Sequence, residues 1–207
     1  PMDQVVYVVD DDPDVRESII FMLENEGLAV AGFEEPRALL DQVSENSAGC
    51  LILDVRLPQM DGLQLLEALR ERAVNMPAVF ISGHGDIPLA VRAVQAGALD
   101  FLEKPFRDEQ LLEKVRNGLE LDRTTHAHAA ERAAIEKRLD KLTPREREVM
   151  EGMLQGKLNK LIADDMNVSV RTVEVHRAHV LEKLDARNSS DMVRMVLSTE
   201  QYRDWLL

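Results

Sequence analysis

The chain has 207 residues, 45% of them hydrophobic, with five histidines, one cysteine and a formal net charge of −13. That length holds one large or two small domains; the lone cysteine excludes an intrachain disulfide scaffold, and the acidic balance argues against a bulk polyanion binder, so any nucleic-acid contact must rest on local geometry. No apolar run approaches the ~18 residues of a membrane-spanning helix and the N-terminus lacks a signal-peptide pattern, from which a cytoplasmic chain is expected. The charge is uneven: residues 1–118 hold 10 basic and 22 acidic side chains, residues 119–141 hold 5 of each, and residues 142–207 hold 10 basic and 11 acidic.

The first part alternates strand-like and helix-like segments. Short apolar runs near 5–9, 29–33, 50–54, 78–82 and 100–103 predict buried parallel strands. Helices are predicted near 13–25, 36–45, 62–72, 87–96 and from 108 onward. Asp12 is the expected N-cap of the first, with Pro13 at its first position. Five such β/α units predict an α/β fold with a doubly wound, five-stranded parallel sheet. Residues 108–140 contain no proline and one glycine, Gly118. Their Ala, Glu, Arg and Leu content favours one long helix over a helix followed by a tether, although Thr124-Thr125-His126-Ala127-His128 is a weaker patch. Cys50, at the start of the third strand, reads as an inert core residue.

The second part reads as all helix. Thr143-Pro144-Arg145-Glu146 is a capping box with proline at the first helical position, opening a helix to about Gln155, where Gly156 fits a stop. A short helix over about 159–166, a turn at Asn167-Val168-Ser169 with Ser169 as N-cap, and a helix over about 170–184 make a helix-turn-helix pattern. A fourth helix is expected from about 190 to 201. The predicted division is residues 1–120, a helical linker over 121–141, and a four-helix domain over 142–207.

The strand ends carry the chemistry. Val5–Val9 ends in Asp10-Asp11-Asp12, Cys50–Leu53 in Asp54, Ala78–Ile81 in Ser82, and Asp100–Glu103 in Lys104. Ligands of open α/β sheets sit beyond the carboxyl ends of the strands. Each residue alone has a plain reading: Asp54 as a turn former or cap, Ser82 as a turn residue before Gly83-His84-Gly85, and Lys104 as a solvated lysine. His84 could be a general base or an ordinary loop histidine. Together, Asp11 and Asp54 offer carboxylates to a hard divalent cation, a backbone carbonyl just after Asp54 (that of Arg56) offers a third oxygen, and Asp10 could orient a water. Asp54 could attack phosphorus as a nucleophile. Lys104 would neutralise phosphoryl charge, and Ser82 would donate to a phosphoryl oxygen. A cis Lys104–Pro105 bond would aim the ammonium inward.

Val8-Val9-Asp10-Asp11, Leu53-Asp54, Leu57-Pro58-Gln59-Met60-Asp61-Gly62, Ile81-Ser82-Gly83-His84-Gly85 and Phe101-Leu102-Glu103-Lys104-Pro105-Phe106, in that order, resemble a response-regulator receiver domain over about residues 3–120. The resemblance implies Asp54 as phosphoacceptor, Asp10 and Asp11 as acidic residues at a Mg²⁺ or Mn²⁺ site, and Lys104 as phosphate partner. It further implies Ser82 as switch hydroxyl and Phe101 as switch aromatic, for which plain core packing is the alternative.

On a wheel of ~100° per residue, Val180 and Leu184 fall within about 20° of Val173, with Leu181 nearby, and the four form the inward stripe of the helix over 170–184. Arg171, Val175, Ala178 and Glu182 face outward, flanked by Glu174, Thr172 and His179. Small residues at the middle of this face let a helix approach base edges in a major groove, although an ordinary solvated face has the same pattern. Leu142-Thr143-Pro144-Arg145-Glu146-Arg147-Glu148-Val149, Asn159-Lys160-Leu161-Ile162-Ala163 and Thr172-Val173-Glu174-Val175-His176-Arg177 resemble the LuxR/NarL helix-turn-helix domain. That resemblance implies base contacts by Glu174, Val175 and Ala178 and phosphate contacts by Lys160, Thr172, Arg177 and Lys183. Leu158 stands where Ser or Thr is usual, which would shift the N-cap to Asn159. Leu161 stands where Glu is usual, which removes a charged contact within the domain.

A receiver joined to this module resembles the FixJ branch of transcriptional regulators, with regulators of aromatic-hydrocarbon catabolism nearest in the 172–179 run. It implies a phosphorylation-dependent activator rather than a turnover enzyme, with a sensor histidine kinase, double-stranded DNA, RNA polymerase and a homodimer formed on phosphorylation as partners. Two rival readings stay open. Val9-Asp10-Asp11-Asp12 fits a haloacid-dehalogenase-like phosphatase with Asp10 as nucleophile and Asp12 as acid/base. A constitutive DNA-binding protein whose first domain senses something else is the other.

Overall fold

The structure, a computed structural model, describes residues 3–83 and 86–206, the side chain of Leu206 excepted. The chain divides into two compact units between His126 and Ala127.

In the first unit, strands β1 (Val5–Val9), β2 (Val30–Phe33), β3 (Gly49–Asp54), β4 (Ala78–Ser82) and β5 (Asp100–Glu103) form one parallel sheet among the described residues, in the order β2-β1-β3-β4-β5. Helices α1 (Pro13–Asn25), α2 (Pro36–Gln42), α3 (Gly62–Glu71), α4 (Ile87–Gln95) and the part of α5 (Asp108–Leu139) up to His126 follow the strands in turn. Strand side chains alternate faces, and the two cores follow that alternation. Val6, Val8, Cys50, Ile52, Val79 and Ile81 pack with Ile19 and Leu23 of α1 and Leu111, Val115 and Leu119 of α5. Tyr7, Val9, Leu51, Leu53, Ala78 and Phe80 pack with Leu39 and Leu40 of α2, four leucines of α3 and Ala93 of α4. With both faces covered, β3 is buried at all six positions, which is why it reads as a continuous apolar run. Burial pushes the Cys50 thiol up to about 12, in keeping with an inert core residue.

Asp12 caps α1, its side chain accepting the Asp14 N–H at 2.9 Å, with Pro13 at the first helical position. Helix α2 stops at Gln42, three residues short of its predicted end. There the Ser47 Oγ accepts the Ser44 N–H and the Ser44 carbonyl accepts the Ser47 N–H, forming a turn in place of another helical one. The α3 N-terminus carries a capping box, Asp61 with Gln64. Its first residue, Gly62, lies directly behind the end of β3. A Cβ there would fall 2.3 Å from the Asp54 carbonyl oxygen and 2.8 Å from Phe80 Cε1. Gly62→Ala is therefore expected to destabilise the first unit by about 1–3 kcal/mol, read by hydrogen exchange at the β3 amides.

Helix α5 runs unbroken to Leu139. The Thr124 and Thr125 hydroxyls donate to the carbonyls of Glu120 and Leu121, so the weak patch keeps its side chains satisfied on the helix. Buried Asp122 accepts the Gly49 N–H at 2.9 Å and a Gln4 side-chain N–H at 3.2 Å, with His126 at 3.1 Å. Gly49 has φ +143, and a Cβ there would meet the Val5 carbonyl oxygen at 1.8 Å.

The second unit holds α6 (Pro144–Leu154), α7 (Asn159–Met166), α8 (Val170–Leu184) and α9 (Ser189–Leu197), then a 3₁₀ helix, Glu200–Leu206. Ile135 and Leu139 from the end of α5 join Val149, Met150, Ile162, Val173, Val180, Leu184, Met192 and Tyr202 in its core. The Thr143–Glu146 capping box is present, and Ser169 accepts the Thr172 N–H at the head of α8. Helix α9 ends at Leu197 rather than near 201, because the Ser198 and Thr199 hydroxyls donate to the carbonyls of Met195 and Val196, both at 2.6 Å. Among the described residues no helix is long and apolar enough to cross a membrane.

Candidate functional site

The sheet order reverses direction between β1 and β3: the chain leaves β1 for β2 on one side and returns to β3 on the other. That switch point opens a crevice at the carboxyl ends of β1 and β3, where Asp10, Asp11 and Asp54 bring one carboxylate oxygen each within 4.8 Å of one another. Asp10 and Asp54 are buried and Asp11 is exposed. From the end of β5, Lys104 Nζ donates to Asp54 Oδ2 at 2.8 Å and to Asp10 Oδ2 at 3.3 Å. The Lys104–Pro105 bond is cis.

The electrostatics are those of a site short of positive charge. Desolvation by burial and the nearby Asp54 carboxylate push the Asp10 carboxyl up from 3.8 to about 6, against the Asp12 N–H bond and Lys104, which pull it down. Burial pulls the Lys104 ammonium down, but Asp54 and Asp10 outweigh it and hold its pKa above the ordinary lysine value. Three clustered carboxylates around one ammonium, all hard oxygen donors with one side open to solvent, fit a hydrated divalent cation.

The backbone after β3 curls over Asp54, so the Arg56 N–H donates to Asp54 Oδ1 at 3.0 Å. The Arg56 side chain turns away and pairs with Asp86 at 2.6 Å. Sequence reasoning missed this link from the loop after β3 to the residue preceding α4, since nothing in the spacing of Arg56 and Asp86 pairs them. Ser82, fully buried at the end of β4, donates from Oγ to the Leu102 carbonyl at 3.4 Å. Phe101 is half-buried against the core face shared with α2, α3 and α4. His84 lies outside the described residues. Asp12 is spent as the α1 cap, a role at odds with an acid/base duty in phosphatase chemistry.

On α8, Val173, Val180 and Leu184 are fully buried, as the wheel predicts, and Arg171, Glu174, Val175, Ala178 and Glu182 are exposed. Lys160 is exposed on α7, and half-buried Thr172 shares a hydrogen bond with Ser169. Two of the expected phosphate contacts are engaged inside the unit instead. Arg177 donates to Asn159 Oδ1 at 2.7 Å and to Ser189 Oγ at 3.0 Å. Lys183 donates to Glu146 Oε1 at 2.5 Å. Leu158 itself occupies the N-cap of α7 without a capping side chain, and the expected shift to Asn159 does not occur because Arg177 holds that amide oxygen.

Comparison with known proteins adds to this geometry. Residues 6–116 match the response regulator receiver domain and residues 140–196 match the bacterial regulatory proteins of the luxR family. The chain is 40% identical to the transcriptional regulatory protein FixJ of Bradyrhizobium diazoefficiens, over 96% of this chain and 97% of that protein. It is 41% identical to the response regulator protein TmoT of Ectopseudomonas mendocina, over 99% of this chain and 91% of that one. The solved structure of the response regulator StyR superposes with a TM-score of 0.83 at 37% identity, covering 94% of this chain and 98% of that one. These matches favour neither the phosphatase nor the constitutive reading.

Proposed function

From the premise that the chain belongs to the FixJ/NarL family of response regulators, and is thus a phosphorylation-dependent transcriptional regulator, we propose that Asp54 is its phosphoacceptor. The observation that carries this reading is one geometry: a buried carboxylate at the sheet switch point, 2.8 Å from Lys104 and clustered with Asp10 and Asp11. A carboxylate oxygen of Asp54 attacks phosphorus, the P–N bond to a kinase phosphohistidine breaks, and the imidazole leaves. Lys104 supplies a positive charge to the phosphoryl oxygens. Asp11, Asp54 and the Arg56 carbonyl would hold Mg²⁺ or Mn²⁺, with Asp10 acting through a water. Bound there, the cation offsets the repulsion between Asp54 and the incoming phosphoryl group. The kinase has a place to approach: a cavity of about 470 Å³ beside Lys104, lined by Val15, Ile19 and Met22 of α1 and by Pro105 and Phe106.

Phosphorylation would draw the Ser82 hydroxyl from the Leu102 carbonyl toward a phosphoryl oxygen and leave room for Phe101 to bury further. Both residues flank α4, so the face formed by α4, β5 and α5 would shift toward a dimerising form. The helical linker over residues 121–141 is then shared out between the units, its start held to the receiver through Asp122 and its end seated in the second core through Ile135 and Leu139, and residues 142–207 bind DNA. A dimer engaging two half-sites compensates for a binding unit without a strong positive charge. The test is to measure oligomeric state and DNA affinity with and without acetyl phosphate and Mg²⁺. Both should rise with the phosphodonor, and DNA affinity that ignores it would refute the switch.

The exposed face of α8 supports readout of a major groove by Glu174, Val175 and Ala178, with Lys160 and Thr172 on the phosphates. Val175→Asp would place a carboxylate at the middle of that face. Its stability change should stay within about 0.5 kcal/mol, since the side chain is exposed. Specific DNA binding should fall at least about tenfold, measured by fluorescence anisotropy against an operator fragment.

A further inference from the structure

In the second unit, Glu146 of α6 and His176 and His179 of α8 form a cluster that phosphoryl transfer and base readout leave unused. One carboxylate oxygen and one ring nitrogen from each histidine lie within 4.8 Å of one another. Glu146 is 3% exposed, and its two oxygens are divided in use. Oε1 accepts the Thr143 N–H at 2.9 Å and the Lys183 ammonium at 2.5 Å. Oε2 faces His179 Nδ1 at 3.4 Å. Desolvation raises the Glu146 carboxyl, but the Lys183 and Thr143 bonds outweigh it and keep the group in its anionic form. The two histidines are three residues apart and so share a face of α8. His176 Nδ1 is buried without a hydrogen-bond partner among the described residues. Native folds seldom leave such an atom unsatisfied unless a water or an ion completes it. The half-exposed His179 gives the cluster access from solvent.

We propose that Glu146, His176 and His179 form a binding site for a borderline divalent transition metal, Zn²⁺ in the first instance. Two imidazoles and one carboxylate are a known donor set for zinc, with water in the fourth position. Bonds of ~2.0–2.2 Å place tetrahedral ligands about 3.4 Å apart, a separation the His179–Glu146 pair already has. His176 brings a ring nitrogen within 4.8 Å of both. The nitrogen donors select against Mg²⁺, so this site and the Asp10–Asp11–Asp54 cluster sort their ions by chemistry. Lys183 weakens the attraction by its charge but sits on the other oxygen, where it fixes the carboxylate that the ion needs. A bound ion would tie α8 to α6 and so hold the helix that carries Glu174, Val175 and Ala178 firmly on its unit.

The test uses the full chain, stripped of metal and held in excess Mg²⁺ so that the aspartate cluster stays occupied. Zn²⁺ is titrated by calorimetry into the native chain and into His179→Gln and His176→Gln, with folding of each variant checked by circular dichroism. The native chain should bind one equivalent that both variants lose, or bind at least about tenfold more weakly. Zn²⁺ should also raise the melting temperature of the second unit in the native chain alone. The chain has a single tryptophan, Trp205, in that unit, and its fluorescence reports the melt. The proposal is overturned if the native chain takes up no Zn²⁺, or if a folded variant binds it as tightly as the native chain. A variant that fails to fold is replaced in the comparison by the other.

Discussion

Asp54→Asn is expected to take up no phosphoryl group from acetyl phosphate in the presence of Mg²⁺, while the native chain gains one, as read by intact mass. The substitution preserves shape. A carboxamide oxygen can still accept the Arg56 N–H that now reaches Asp54 Oδ1 at 3.0 Å, so loss of labelling cannot be ascribed to loss of the strand end. What it removes is the nucleophile, because an amide oxygen does not form an acyl phosphate at neutral pH. Phosphodonor-dependent dimerisation and DNA binding should disappear in the same variant, with basal DNA affinity retained. Retained stoichiometric labelling would sink the assignment. A chain that hydrolyses phosphate esters over many turnovers, and loses that activity in Asp10→Asn but not in Asp54→Asn, would restore the phosphatase reading.

The elements that sequence reasoning placed within a residue are those whose signals are local. The strands are continuous apolar runs because both sheet faces are covered, and α1, α6 and α8 carry their caps in the sequence as Asp12-Pro13, Thr143-Pro144 and Ser169. The ends of α2 and α9 were misjudged because serine and threonine hydroxyls there compete with the helix, a choice that composition alone does not reveal. The acid cluster was legible because strand ends of a parallel sheet meet at one edge, so four short motifs imply one site. Pairings between residues far apart in the chain were not legible. Arg56 with Asp86 and Asp122 with Gly49 depend on which segments the topology brings side by side. Arg177 shows the same limit from the other direction. Its type suggests a phosphate contact, yet the guanidinium is held by two neutral oxygens, on Asn159 and Ser189.

Asp10→Asn should make the first unit more stable at neutral pH in the absence of divalent cations, an unusual sign for removing a buried, hydrogen-bonded group. Asp10 is 1% exposed, and burial together with Asp54 raises its carboxyl from 3.8 to about 6. Between those values the folded chain keeps a proton that the unfolded chain has released. The stability this proton contributes is therefore complete below about pH 4 and is lost as pH rises through about 6. The gap corresponds to about 3 kcal/mol. Asparagine keeps an oxygen for the Asp12 N–H, now bonded to Asp10 Oδ1 at 2.9 Å, and carries no charge to desolvate. In EDTA at pH 7.5 the variant should exceed the native chain by up to about 3 kcal/mol in the opening free energy of the β1 and β3 amides, measured by hydrogen exchange. Below pH 4 the two should converge. Saturating Mg²⁺ should reverse the order, because the native cluster has a third carboxylate with which to attract the ion and the variant does not. A native chain that equals or exceeds the variant in EDTA at pH 7.5 would show that Lys104 already neutralises the cluster, and would remove the electrostatic reason for a cation at this site.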